Sequence, residues 1–86
     1  MKRIIIDVRE HFEYKMGHVK EAVNIPVMEF LIGIPNKLAS IPKDTEIIVY
    51  CHSGSRASMV LPYLQKYGFT NVTNGINRKN VDSIVS

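Results

Sequence analysis

Two unbroken apolar runs constrain this chain most: Ile4-Ile5-Ile6 leading into Asp7-Val8, and Ile47-Ile48-Val49-Tyr50 after Glu46. A strand with one wet face alternates. A β-branched run without alternation predicts a strand covered on both faces, as in a parallel sheet with helices above and below. Around these runs the pattern turns helical. Glu10 to Met16 predicts a short helix or helical turn stopped at Gly17. Val23-Asn24-Ile25 predicts a short strand ended by Pro26. From Val27 to Ile41 the spacing of Met28, Leu31, Ile32, Leu38 and Ile41 is helical. Gly33 and Pro35 interrupt it, so two short helical pieces are expected, before a turn at Pro42-Lys43-Asp44. Arg56 to Tyr67 reads as a helix closed by Gly68, with Pro62 expected to bend it. Asn71-Val72-Thr73 predicts a last short strand. Asn77 is placed to cap a terminal helix through about Val85, with Val81, Ile84 and Val85 on one face. Strands alternating with helices give an α/β fold with a mainly parallel sheet flanked by helices. Ligands bind such sheets beyond the carboxyl ends of the strands. Asp7-Val8-Arg9 and Cys51 both follow strand ends, so they are expected to share one edge.

Eighty-six residues suit one domain, 1–86, and there is no repeat, low-complexity segment or linker to divide it. A single cysteine makes no internal disulfide. That cysteine and the three histidines are far apart, without ligand pairs at metal spacing, so no metal site and no cofactor are expected. No apolar run approaches the ~20 residues that span a bilayer. Met1-Lys2-Arg3 begins like a signal peptide, but Asp7 and Arg9 end the apolar stretch. The compartment expected is the cytoplasm, with the periplasm as the alternative if Met1 stands in place of a removed signal peptide. The net charge of +3 comes from basic residues standing singly or in pairs, Lys2-Arg3 and Arg78-Lys79, without the cluster that nucleic-acid binding needs. Charge is nevertheless uneven. No carboxylate lies between Glu46 and Asp82, while Arg56, Lys66, Arg78 and Lys79 do. That half is expected either to draw small anions to the cysteine or to be a chance of spacing in a short chain.

Between the second apolar run and the helix that follows lies Cys51-His52-Ser53-Gly54-Ser55-Arg56. A strand, a tight turn and a helix start point successive backbone N–H groups into one bowl at the positive end of the helix dipole. A lone cysteine at a strand end is most often a small buried hydrophobe. Gly54 and the serines on either side favour a polar loop instead. Amide donors and Arg56 beside the thiol favour its thiolate, so Cys51 is the expected nucleophile.

Four blocks in order, Asp7-Val8-Arg9-Glu10, Gly17-His18-Val19, Asn24-Ile25-Pro26 and the Cys51-to-Arg56 loop, resemble a single-domain rhodanese, a thiol sulfurtransferase. The layout is similar to the short, phage-shock-type members and covers about Ile4 to Gly75. The resemblance implies a small rhodanese-like fold and a sulfur atom carried as a persulfide on Cys51. It also implies a small anionic donor such as thiosulfate and a thiol acceptor, small molecule or protein. The N–H groups of His52 through Arg56 are expected to stabilise charge on the bound sulfur. Arg56 has two uses: gripping an anionic donor, or pairing with a carboxylate to fix the loop. The second is expected, with Asp7 or Glu10 as partner. Asp7 and Arg9 match the family's Asp-x-Arg pair and are expected to support the loop; otherwise Asp7 caps the next turn and Arg9 bridges Glu13. His52 is not expected to act as a base, because sulfur transfer from a thiolate moves few protons. His18 is expected to be a structural hydrogen-bonding residue. Ser53 and Ser55 either orient the donor or hold the turn. The chain departs from the family in having Asn74-Gly75-Ile76 where a Gly-Gly pair is common, Ala57 where a serine often follows the arginine, and no tryptophan. Two rival readings stand beside sulfur transfer. One is a cysteine phosphatase or arsenate reductase of the same fold, whose loop has five residues between cysteine and arginine where this chain has four. The other is a non-catalytic binding module, against which Cys51 itself counts. The oligomeric state is not legible.

Overall fold

The computed structural model describes residues 2–86; Met1, where the leader-like start begins, lies outside them. Four strands, β1 (Arg3–Asp7), β2 (Val23–Asn24), β3 (Glu46–Cys51) and β4 (Val72–Asn77), form one sheet in the order β2-β1-β3-β4. All three pairings are parallel. Helices α1 (His11–Lys15), α2 (Val27–Leu31), α3 (Ser55–Lys66) and α4 (Arg78–Val85) make the crossovers and cover the faces, and a 3-10 turn at Asn36–Leu38 follows α2.

The unbroken runs are explained by the two cores. Ile6 and Val8 of the β1 region and Ile47, Val49 and Cys51 of β3 pack on one face with Phe30, Leu38, Ala57, Val60, Leu64 and Phe69. Ile48 and Tyr50 point the other way, to Val19, Ala22 and Val81, with Ile5, Tyr14 and Val85 against them. With side chains alternating across a sheet buried on both sides, every position must be apolar.

The two helical pieces expected between Val27 and Ile41 are present, and Asn77 caps α4 by accepting from Asn80 N–H (2.8 Å). α3 continues through Pro62 to Lys66, as expected. Two details differ from expectation. β4 runs on to Asn77, because pairing with β3 resumes beyond a bulge. On α4, Val81 is buried and Val85 packs beside it, but Ile84 is 45% exposed. No helix among the described residues is long and apolar enough to cross a membrane.

Candidate active site

Cys51 ends β3 with its side chain on the α3 face, and residues 52–54 turn the chain back into α3. Gly54 makes the turn in a left-handed conformation (φ 96°), which glycine adopts without steric cost. Its N–H donates to Cys51 Sγ at 3.0 Å, and its carbonyl accepts the first bond of the helix from Ser58 N–H (2.9 Å). Cys51 itself is 1% exposed. Burial, the largest single influence, pushes the thiol pKa up. The N–H groups of Ala57, Ser53, Gly54 and Arg56 together reverse it, and the net shift is downward from the ordinary value. Ser53, Gly54 and Arg56 lie in the loop expected to line the sulfur, and Ala57, one residue beyond it, joins them.

The remaining loop residues are placed as follows. His52, Ser53 and Ser55 are exposed, and the two serine hydroxyls stand 3.3 Å apart, holding the turn. Arg56 is paired with a carboxylate, as expected, but with neither Asp7 nor Glu10. Its Nη1 and Nη2 donate to Glu13 Oε2 (2.7 Å) and Oε1 (3.1 Å) in a two-point grip. Chiefly through those bonds, Arg56 lowers the Glu13 pKa from 4.5 to about 2. The reason lies in α1. Glu10 and Glu13 form a capping box, Glu13 Oε2 accepting from Glu10 N–H (2.8 Å), which aims the Glu13 carboxylate across the edge to α3.

Asp7 and Arg9 lie at the same edge, with Asp7 turned to the opposite face from the thiol. Asp7 is fully buried and accepts from Arg9 N–H (2.9 Å), from the Arg9 guanidinium (Nη2 to Oδ2, 2.7 Å) and from Tyr50 O–H (2.9 Å). Arg9 also donates to Gly17 O (2.7 Å), and Tyr50 Oη accepts from Val19 N–H (3.0 Å). Burial, ahead of Asp7, raises the Tyr50 phenol pKa to about 12. Arg9 therefore does not bridge Glu13. The pair braces the β1–α1–β2 segment and the underside of β3; the loop's own carboxylate partner comes from α1. His18 is structural as expected: Nδ1 donates to Tyr14 O (2.8 Å) and the two rings stack at 3.6 Å.

One site residue escaped the sequence reading. Asn74 Nδ2 donates to Gly54 O (3.0 Å) and to Ser58 Oγ (3.0 Å), while its Oδ1 accepts from Ile76 N–H (2.8 Å). An Asn-Gly pair inside a strand pattern is a signal for a bulge, and the pairing does slip there: Val49 faces Asn74, but Tyr50 faces Ile76. A concavity of about 750 Å³ between Ile4, Lys20, Val23 and Val85 reaches Arg3 at the start of β1 and does not include the cysteine loop.

The chain agrees with known proteins in sequence and backbone. The pattern described as "Rhodanese-like domain" matches residues 1–76. A "Sulfurtransferase" of Allochromatium vinosum is 31% identical over 71 residues, covering 83% of this chain and 63% of the relative. A tRNA uridine(34) hydroxylase of Buchnera aphidicola is 38% identical over 72 residues, covering 80% of this chain; the chain spans only 23% of that relative's length. A solved structure described as "rhodanese with anions from E. coli" superposes with a TM-score of 0.77 at 30% identity, covering 91% of this chain and 89% of that one. The family pattern takes in β3, the cysteine loop and α3, and on that match the chain belongs to the rhodanese-like domain family.

Proposed function

We propose that the chain is a sulfurtransferase. It takes a sulfane sulfur from thiosulfate or a similar small anionic donor as a persulfide on Cys51. It then passes the sulfur to a thiophilic acceptor, cyanide in an assay and a thiol in the cell. The observation that carries this reading is the amide cradle: a thiol with lowered pKa, with Gly54 N–H 3.0 Å from its sulfur. In the first step the Cys51 thiolate attacks the outer sulfur of thiosulfate. An S–S bond forms to Cys51, the donor's own S–S bond breaks, and sulfite leaves with the electron pair. In the second step the acceptor attacks the outer sulfur and Cys51 leaves as thiolate. This is covalent catalysis in two displacements, with a ping-pong signature and no external oxidant. The cradle's N–H groups stabilise the persulfide anion as an oxyanion hole does an oxygen. Burial of Cys51 favours a slender donor such as thiosulfate.

Phosphoryl transfer is the less favoured chemistry. A phosphoryl group brings several oxygens, each needing a donor at about 2.7–3.1 Å, and the loop between Cys51 and Arg56 is one residue shorter than the phosphatase loop. Both Arg56 nitrogens that could grip such oxygens are held by Glu13. Intact-mass measurement tests the proposal. Thiosulfate should add one sulfur atom, dithiothreitol should remove it, and Cys51→Ser should show neither change. An adduct in Cys51→Ser, or robust p-nitrophenyl phosphate turnover that depends on Cys51, overturns it.

A further inference from the structure

The cradle works only while Gly54 keeps its left-handed turn, and the loop's own residues do little to hold it there. His52, Ser53 and Ser55 are exposed, and the one side-chain bond among them joins the two serines. The hold comes from β4. Gly54 O, already bonded to Ser58 N–H, takes a second bond from Asn74 Nδ2, whose other hydrogen goes to Ser58 Oγ. Both amide hydrogens of Asn74 are thus spent on the loop and the first turn of α3. Its oxygen is spent on Ile76 N–H, across the bulge.

The bulge is what makes this reach available. Gly75 turns to the other face of the sheet, where a β-carbon would stand 2.5 Å from Val81 Cγ2 and 2.9 Å from Ile48 Cγ2. Ile76 follows with φ 74°, a conformation that a β-branched residue adopts only when its surroundings impose it. Its Cγ2 lies 3.3 Å from where a Gly54 β-carbon would be, so Asn74 and Ile76 flank Gly54 together from one strand.

We propose that Asn74 is a positioning residue for Cys51: through Gly54 O it holds the loop's N–H groups on the sulfur, and the Gly75–Ile76 bulge keeps it in place to do so. This deepens the sulfurtransferase reading, resting on Cys51 as its reactive group and on no particular donor. It also gives the strained Ile76 a purpose. A regular β4 without the bulge would slip by one residue beyond Asn74 and would need no side chain to bridge Asn74 and Ile76.

The readout is the pH dependence of iodoacetamide alkylation of Cys51, which a purely structural role at Asn74 would not move. In the parent the midpoint should lie below the ~8.5 of a free thiol. Asn74→Ala should raise it by about half to one unit, slowing alkylation at neutral pH about three- to tenfold. Asn74→Asp keeps the acceptor for Ile76 N–H and loses both donors. It serves if the alanine variant fails to fold, and its midpoint should rise and stay raised in high salt. Ser58→Ala removes only the branch that bypasses Gly54 and should leave the midpoint in place. A folded Asn74 variant with the parent's midpoint overturns the proposal, as does an equal rise in Ser58→Ala. Alkylation uses no sulfur donor. A parent that takes no persulfide, yet shows the Asn74 shift, would end the sulfurtransferase reading and leave this one standing.

Discussion

A β-carbon on Gly75 would collide with Val81 and Ile48, while Ile76 beside it has a backbone that suits glycine. The two positions separate the reasons a chain uses glycine: at 75 it is space, at 76 it is conformation. Gly75→Ala should therefore destabilise by about 1–3 kcal/mol through overpacking between β3 and α4. Ile76→Gly should behave differently. It gives up a half-exposed side chain and gains unfolded-state entropy, together unfavourable by about 1–2 kcal/mol. Relief of the left-handed backbone returns about 1–2 kcal/mol. The net change should be within about 1 kcal/mol of zero, far from the ~2–5 kcal/mol expected for deleting a large aliphatic side chain from a buried site. Denaturant midpoints of the two variants check this; a loss above ~3 kcal/mol in Ile76→Gly would mean that the side chain, not the backbone, matters there. A Gly-Gly pair is common at this point in the family, and in this chain Ile76 keeps a positive φ of 74°, a conformation that glycine adopts without strain.

At the scale of elements, α1 and α3 are joined by Glu13 and Arg56, 43 residues apart in sequence and bound at two points. Their side chains are 23% and 32% exposed. Solvent screening therefore limits the pair to about 1 kcal/mol, which a double-mutant cycle with Glu13→Gln and Arg56→Gln should return. The pH dependence has a definite sign. The Glu13 pKa falls from 4.5 to about 2 in the folded chain, first because of its bonds to Arg56. The contribution is therefore complete above about 4.5 and fades as pH falls toward about 2. Between pH 6 and pH 3 the parent should lose more stability in urea than Glu13→Gln does; equal losses would show that the pair does not fasten α1 to α3. The capping box in α1 has a glutamate, Glu10, where its sequence signature has serine or threonine, and it emerges only in the structure. That Glu13 also reaches Arg56 was not legible either, because nothing local specifies which carboxylate the fold brings to the loop.

For the whole molecule, the same tie takes the loop's own charge out of the cationic half that the charge distribution suggested. Arg56 is neutralised by Glu13; Lys66 stands exposed at the far end of α3, and Arg78 and Lys79 at the start of α4, next in the chain to Asn77 opposite Cys51. The apparent KM for thiosulfate should accordingly rise by less than about twofold as sodium chloride is raised well beyond the range where the Debye length is ~8–10 Å. A steep rise would restore long-range steering as a working part of the site. By itself the sequence determined the parallel sheet, through two runs with no polar face, and the location of the thiol at a strand-to-helix turn. It also determined the cap at Asn77 and the break between Val27 and Ile41. All of these rest on residues near one another in the chain. Only the tertiary structure decided that Asp7 and Arg9 brace Tyr50 and Gly17, that Arg56 answers to Glu13, and that Asn74 holds Gly54. Each of those contacts joins elements that become neighbours only when parallel crossovers return the strand ends to one edge, and a bulge at Gly75, whose space is set by Val81 and Ile48, chooses which side chain of β4 arrives there.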